Sequence, residues 1–183
     1  MDPNRVIGCK GKIPWYIAED TKWFHRLTMG IPHERAIHVN KFNSEPTQGG
    51  GILVMGRTTY KTVGILPGRY TYVLTNEAEK LALPSTHMMK YVDLDYILAN
   101  LKAKGDTHDF FDCLKAEMIW KRMWVCGGAK TYYALLPFCE EVFVTHIIEE
   151  YDGDTEMPEF ENKFPNQELL RETKDYSIVR YWI

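Results

Sequence analysis

Short apolar runs and helix-period stretches take turns along the chain. Residues 51–55, 70–74, 122–126 and 141–145 are runs rich in β-branched and aromatic residues, the pattern of strands covered on both faces. Between them, residues 19–28, 58–63, 94–103 and 130–136 carry helix patterns. The alternation predicts an α/β fold: a single domain whose central, mixed, mainly parallel β-sheet is flanked by helices. The last stretch, 168–183, alternates polar and apolar residues and reads as an antiparallel C-terminal hairpin. No internal repeat is present.

Two stretches break the rhythm. Residues 31–50 are polar, contain Pro32 and Pro46, and run into Gly49, Gly50 and Gly51, which predicts a long surface loop. Residues 105–121 form a second insertion, where Phe111, Leu114 and Met118 recur at helical spacing. That spacing predicts a short amphipathic helix packing on a core rather than a cofactor-binding segment.

Composition narrows the function classes. A chain of 183 residues buries enough surface to fold without disulfides or metal. Its net charge of −3 argues against a nucleic-acid partner. Cys9, Cys113, Cys126 and Cys139 show no paired spacing and no histidine at ligand distance along the chain, so reduced thiols and no metal are expected. The N-terminus lacks the apolar core of a signal peptide, and no apolar run approaches bilayer length. A soluble, cytoplasmic protein without a membrane partner is expected.

Four segments carry candidate chemistry. The first runs from Asn4, Arg5, Val6, Ile7 and Gly8 through Ile13, Pro14 and Trp15 to Glu19, Asp20, Trp23 and Phe24. The second is Val54, Met55, Gly56, Arg57, Thr58, Thr59 and Tyr60; the third is Leu66, Pro67, Gly68 and Arg69. The fourth is Trp124 to Ala129, followed by Tyr132, Thr145 and His146, and Gly153, Asp154 and Thr155. In this order, over nearly the whole chain, they resemble the dihydrofolate reductase family.

Each segment also has a reading of its own. A carboxylate at Asp20, one turn before Trp23 and Phe24, suits a planar nitrogen-rich ring that donates two parallel hydrogen bonds. Glu19 and Asp20 equally suit a helix N-terminus through its dipole. Gly56 with Arg57, Thr58 and Thr59, between a strand and a helix, suits an anion or a plain helix cap with a solvated arginine. Gly127 and Gly128 allow close approach of backbone to a phosphate or ring, without forming the dinucleotide fingerprint of a Rossmann domain.

The resemblance implies an NADPH-dependent enzyme reducing dihydrofolate to tetrahydrofolate, with hydride transfer to C6 of the pteridine and protonation of N5. It implies Asp20, Trp15 and Thr145 at the reacting ring, the Thr145 hydroxyl bridging Asp20 and the pteridine. Ile13, Thr21, Phe24, Val63, Leu66, Cys126 and Tyr132 would line the substrate site, and Arg69 would take the α-carboxylate of the glutamate tail. Gly11, Lys12, Gly56, Arg57, Thr58 and Thr59 would serve the cofactor, with Arg57 on its 2′-phosphate. Leu74, Thr75 and Asn76 would flank its adenosine half, and Gly127, Gly128, Ala129, Lys130 and Thr131 would complete that site. Asp154 would help close the loop near Gly11. The implied partners are dihydrofolate and antifolates, and the implied state is a monomer.

The sequence departs from the family in places. Family members run an apolar strand into the segment beginning at Asn4, whereas only Met1, Asp2 and Pro3 precede it. Three explanations compete: Met1 is internal to a longer product, another segment such as residues 35–39 replaces the strand, or the chain folds poorly or has lost activity. The first is favoured. Thr21 stands where an apolar residue is usual, Cys126 where Ile or Val is commoner, and Ala129 where a third glycine is frequent. Two other functions stay in view. One is a folate- or NADPH-binding protein with little turnover; the other is a different pteridine or pyrimidine reductase, a class that usually lacks an acid five residues after the Pro-Trp pair.

Overall fold

The structure, a computed structural model, describes residues 1–31, 50–76, 89–104 and 123–183, with backbone alone for 100–104. The segment 35–39, the helix expected within 105–121, Cys113 and most of the loop expected at 31–50 lie outside the described residues. The chain forms two compact units, one built from Met1–Leu27 and Leu135–Ile183, the other from Thr28–Gly30 and the described residues of 50–134.

In the second unit four strands, β2 (Ile52–Gly56), β3 (Tyr70–Leu74), β4 (Met89–Val92) and β5 (Met123–Val125), form a parallel sheet in the order β4-β3-β2-β5. Helices α2 (Arg57–Val63), α3 (Leu94–Lys104) and α4 (Ala129–Leu135) follow β2, β4 and β5. The near-continuous apolar runs are explained by burial on both faces: Ile52, Leu53, Val54 and Val73 have no exposed surface. β4 escaped sequence reading because Met89, Lys90, Tyr91 and Val92 offer neither a clean apolar run nor strict alternation. Among the described residues, β5 pairs on one edge only.

One core residue runs against the apolar pattern. Thr71 is fully buried in β3, and its hydroxyl has no hydrogen-bond partner among the described residues. An unpaired buried hydroxyl costs about 1–3 kcal/mol. Thr71→Val, which keeps the branched shape, is expected to raise the urea midpoint by an equivalent of about 1 kcal/mol. A lowered midpoint would mean that the hydroxyl is satisfied.

Gly50 and Gly51 correct an expectation. The run ending at Gly51 was expected to close a surface loop, yet both glycines are buried. A Cβ on Gly50 would stand 2.7 Å from both Arg69 Cγ and Gly68 O, and 2.9 Å from Met29 Sδ. Gly50 N–H donates to Gly68 O (2.8 Å) and Gly51 N–H to Thr28 O (2.8 Å). Gly50 serves close packing rather than flexibility.

In the first unit, β6 (Glu141–Ile147), β8 (Asn166–Glu172) and β9 (Tyr176–Trp182) form an antiparallel sheet in the order β6-β9-β8. The expected hairpin is β8 and β9, with a register shift between Leu169 and Arg171. A short antiparallel pair, β1 (Val6–Gly8) and β7 (Thr155–Glu156), adds two strands too brief to show a period. The outer edge of β6 carries Met1, whose amino group donates to Thr145 O (2.6 Å) and whose carbonyl accepts from Ile147 N–H (2.8 Å).

Helix α1 (Ala18–Thr28) lays one face on β6. Asp20, Trp23 and Leu27 share that face by their spacing of three and four. Phe143 and Thr145, two apart on the strand, meet it: Trp23 packs edge-on against Phe143 at 6.2 Å, and Thr145 bonds to Asp20. Trp23 and Leu27 are each 4% exposed, so the apolar positions of the helix pin the acidic one in place.

Candidate functional site

Asp20 occupies the first turn of α1 and is partly buried. Thr145 Oγ donates to its Oδ1 at 2.5 Å. Burial raises the Asp20 pKa above the ordinary value of 3.8, and the Thr145 bond opposes that rise. Its neighbour Glu19 differs: half-exposed, it pairs with Lys22 at 2.8 Å and its pKa is lowered, chiefly by that bond. Two adjacent carboxyls thus diverge, one serving the helix surface and the other set apart in a desolvated position. A partly buried acid whose pKa is raised by desolvation marks a functional-site candidate.

The loop before α1 brings further predicted residues into the same unit. Lys10 and Gly11, both with positive φ (50° and 76°), make the two-residue turn that closes the Cys9–Lys12 bridge. Ile13 is 64% exposed and Trp15 partly so. Thr21 is exposed and bonds back to Ile17 O at 3.3 Å, while Phe24 is partly buried. Asp154 accepts from Lys10 N–H (2.9 Å) and donates its own N–H to Gly8 O (3.1 Å), tying its loop to the turn holding Gly11.

In the other unit, three predicted clusters fall at one place: the C-terminal ends of parallel strands. Gly56 ends β2 and Arg57 to Thr59 follow it, Leu74 ends β3 with Thr75 and Asn76 after it, and Cys126 to Thr131 follow β5. Open α/β sheets bind ligands at that end. Gly56 N–H donates to Gly127 O at 2.8 Å, and the N–H groups of Thr131 and Tyr132 both reach Gly128 O. A Cβ on Gly56 would stand 2.9 Å from Thr131 Oγ, on Gly127 3.3 Å from the Tyr132 hydroxyl, and on Gly128 3.3 Å from Thr59 Oγ. Gly127 also has φ 94°. Side-chain-free backbone ringed by three hydroxyls fits a ligand that presents phosphate oxygens.

The remaining predicted residues surround this sheet. Thr75 is buried and bonds to Val92 O (3.0 Å), and Asn76 reaches Asp95 at 3.4 Å. Val63 is exposed, Leu66 partly so, and Lys130 stands in solvent. Arg69 enters β3 at its N-terminal end and is 3% exposed, its guanidinium donating to Thr28 Oγ (2.9 Å) and Pro67 O (3.3 Å). The Cys126 thiol is pushed up to about 12 by burial, which makes it a small apolar group rather than a nucleophile. Cys9, Cys126 and Cys139 are free thiols.

Sequence reading missed Asp2. Its carboxylate, 2% exposed, accepts from Val6 N–H (2.7 Å) and Tyr151 N–H (2.9 Å), while its carbonyl accepts from Arg5 N–H (3.1 Å). The signal was available: Asp followed by Pro3 opens a β-turn, and a short acid at that position bonds backbone a few residues on. Among the described residues, no group of three or more His, Cys, Asp or Glu is placed to hold a metal, and no helix is long and apolar enough to cross a membrane.

A family model described as dihydrofolate reductase matches residues 39–178. Dihydrofolate reductase 1 of Haloarcula marismortui is 27% identical over 98% of this chain and 86% of its own length. Dihydrofolate reductase HdrB of Haloferax volcanii is 29% identical over 97% and 77%, and the Enterococcus faecium dihydrofolate reductase 29% over 94% and 81%. Among solved structures, the Enterococcus faecalis dihydrofolate reductase complexed with NADP(H) and RAB-propyl shares the fold, with a TM-score of 0.64. It is 24% identical over 100% of this chain and 91% of its own.

Proposed function

The chain belongs to the dihydrofolate reductase family, NADPH-dependent oxidoreductases that convert 7,8-dihydrofolate to tetrahydrofolate, and we propose that in it Asp20 holds the pteridine while the glycine-lined end of the parallel sheet holds the cofactor. The observation that carries this reading is Asp20 itself, a desolvated carboxyl bonded to Thr145 on the first turn of α1.

When bound, NADPH supplies the hydride that goes to C6 of the pteridine. The protein's own groups bind, orient and bias. Asp20 accepts two parallel N–H bonds from the pteridine amidine, an arrangement one carboxylate satisfies and a neutral acceptor does not. Thr145 keeps one carboxylate oxygen aligned. The negative charge favours the protonated ring, so N5 takes its proton through water rather than from Asp20 directly. Trp15 and Ile13, in the loop before α1, cover the ring against water. Gly56, Gly127 and Gly128 let the diphosphate approach backbone, with Thr58, Thr59 and Thr131 as hydroxyl donors. Arg57 takes the 2′-phosphate, where a planar fork gives two aligned bonds. Arg69 takes the substrate's α-carboxylate, a stronger acceptor than a hydroxyl or carbonyl.

The reading extends to a monomer that works in the cytoplasm, which its free thiols fit. The test is dihydrofolate-dependent oxidation of NADPH by the purified chain. Turnover that needs both compounds and stops with an antifolate is expected. Tight antifolate binding with no turnover would instead select the binding-protein reading.

A further inference from the structure

Trp15 lies in the segment between the Cys9–Lys12 turn and α1, and its indole must be oriented by something outside that segment. The structure puts Tyr151 against it: the ring centroids are 5.3 Å apart and the planes tilted by 55°. Tyr151 is fixed in turn. Its backbone N–H donates to Asp2 Oδ2 at 2.9 Å, and its hydroxyl to Glu149 Oε2 at 2.9 Å. The buried Asp2 uses its other oxygen on Val6 N–H at 2.7 Å. Three residues on, Asp154 bonds to Gly8 O and Lys10 N–H. The tyrosine therefore stands on a segment stitched to the start and the end of β1.

We propose that Tyr151 is a positioning residue for Trp15, fixing the indole before substrate arrives and so steadying residues 13–17 that lead into Asp20. Its kinetic consequence rests on the reductase reading; its spectroscopic consequence does not. A tilted aromatic pair contributes ~0.5–1.5 kcal/mol beyond burial. At about 1.4 kcal/mol per factor of ten, losing it costs about 2- to 12-fold in dihydrofolate KM.

The experiment compares Tyr151→Ala and Tyr151→Phe in the full chain labelled with fluorotryptophan. The five tryptophans give separate fluorine resonances, and Trp15→Phe identifies the one from Trp15. In Tyr151→Ala the Trp15 resonance is expected to shift while the others stay. Dihydrofolate KM should rise about 2- to 12-fold, with the NADPH KM close to the parent's and the thermal midpoint lower by only about 1–6 °C. Tyr151→Phe, which keeps the ring, should restore both the resonance and KM. An unmoved Trp15 resonance in Tyr151→Ala overturns the proposal, as does a Phe variant that behaves like the Ala variant. A chain without turnover sinks the reductase reading, and the fluorine spectrum still decides this one.

Discussion

Asp20→Asn is expected to lower kcat/KM for dihydrofolate by about a hundredfold or more while making the chain more stable at neutral pH. The kinetic loss follows from hydrogen-bond chemistry. An amide offers one acceptor and one donor to a ring edge that presents two donors, so one bond is lost and two donors face each other. A hydrogen bond to a charged group is worth ~1.5–3 kcal/mol and an orphaned buried donor costs ~1–3 kcal/mol, together about a hundredfold at the lower end of both ranges at ~1.36 kcal/mol per decade. Thr145 can still donate to the amide oxygen, so the Asp20–Thr145 contact is not what fails.

The stability gain follows from the raised pKa of Asp20. The folded chain holds the Asp20 proton more tightly than the unfolded chain. Stability therefore falls as pH rises from the ordinary value of 3.8 through the raised one, and the penalty persists above it. Asparagine carries no such penalty, so its advantage is present at neutral pH and absent at pH below the ordinary carboxylate range. Urea midpoints at the two pH values measure this, and the inflection that Asp20 contributes to the parent's pH–rate profile should vanish in the variant. A variant with the parent's turnover and the parent's pH dependence of stability would remove Asp20 from the site.

What the sequence made legible divides along physical lines. β3 was read at both ends because Tyr70–Leu74 is a buried apolar run between turn residues. β2 and β5 were read to within a residue or so for the same reason, and α1 because its apolar face is regular. β1, β4 and β7 were not, since strands of two to four residues are set by partners distant in sequence. Candidate chemistry was legible at Asp20, Gly56 and Gly127, where residue type and position along an element coincide. The Asp20–Thr145 bond spans 125 residues and was reached through family resemblance, not through any local pattern. Asp2 and Tyr151 show the opposite case: their roles lie in a carboxylate bonding backbone 149 residues away, and nothing around Tyr151 marks it. Where the resemblance calls for a first strand, Met1 makes ladder bonds to Thr145 O and Ile147 N–H on the edge of β6.

Gly153→Ala should be the most damaging single methyl group in the first unit. A Cβ there would land on Val6 Cγ1, 2.7 Å from Gly8 O and 3.2 Å from Val6 Cγ2. Val6 is 5% exposed and β-branched, so it has no free rotamer that moves both methyls away. The backbone must give instead. Withdrawing residue 153 from β1 strains the neighbouring bonds from Asp154 to Gly8 O and Lys10 N–H. Overpacking of this kind costs ~1–3 kcal/mol, roughly 2–12 °C of thermal midpoint for a chain this size. Turnover should fall as well, because the turn at Gly11 loses its anchor. Val6→Ala in the same chain removes both methyls, and the double variant should recover part of the loss. The recovery stays incomplete because Gly8 O, a backbone atom, still stands in the way. Full recovery would assign the whole cost to the valine, and no loss in the single variant would mean that β1 and the Gly153 loop are not in close contact.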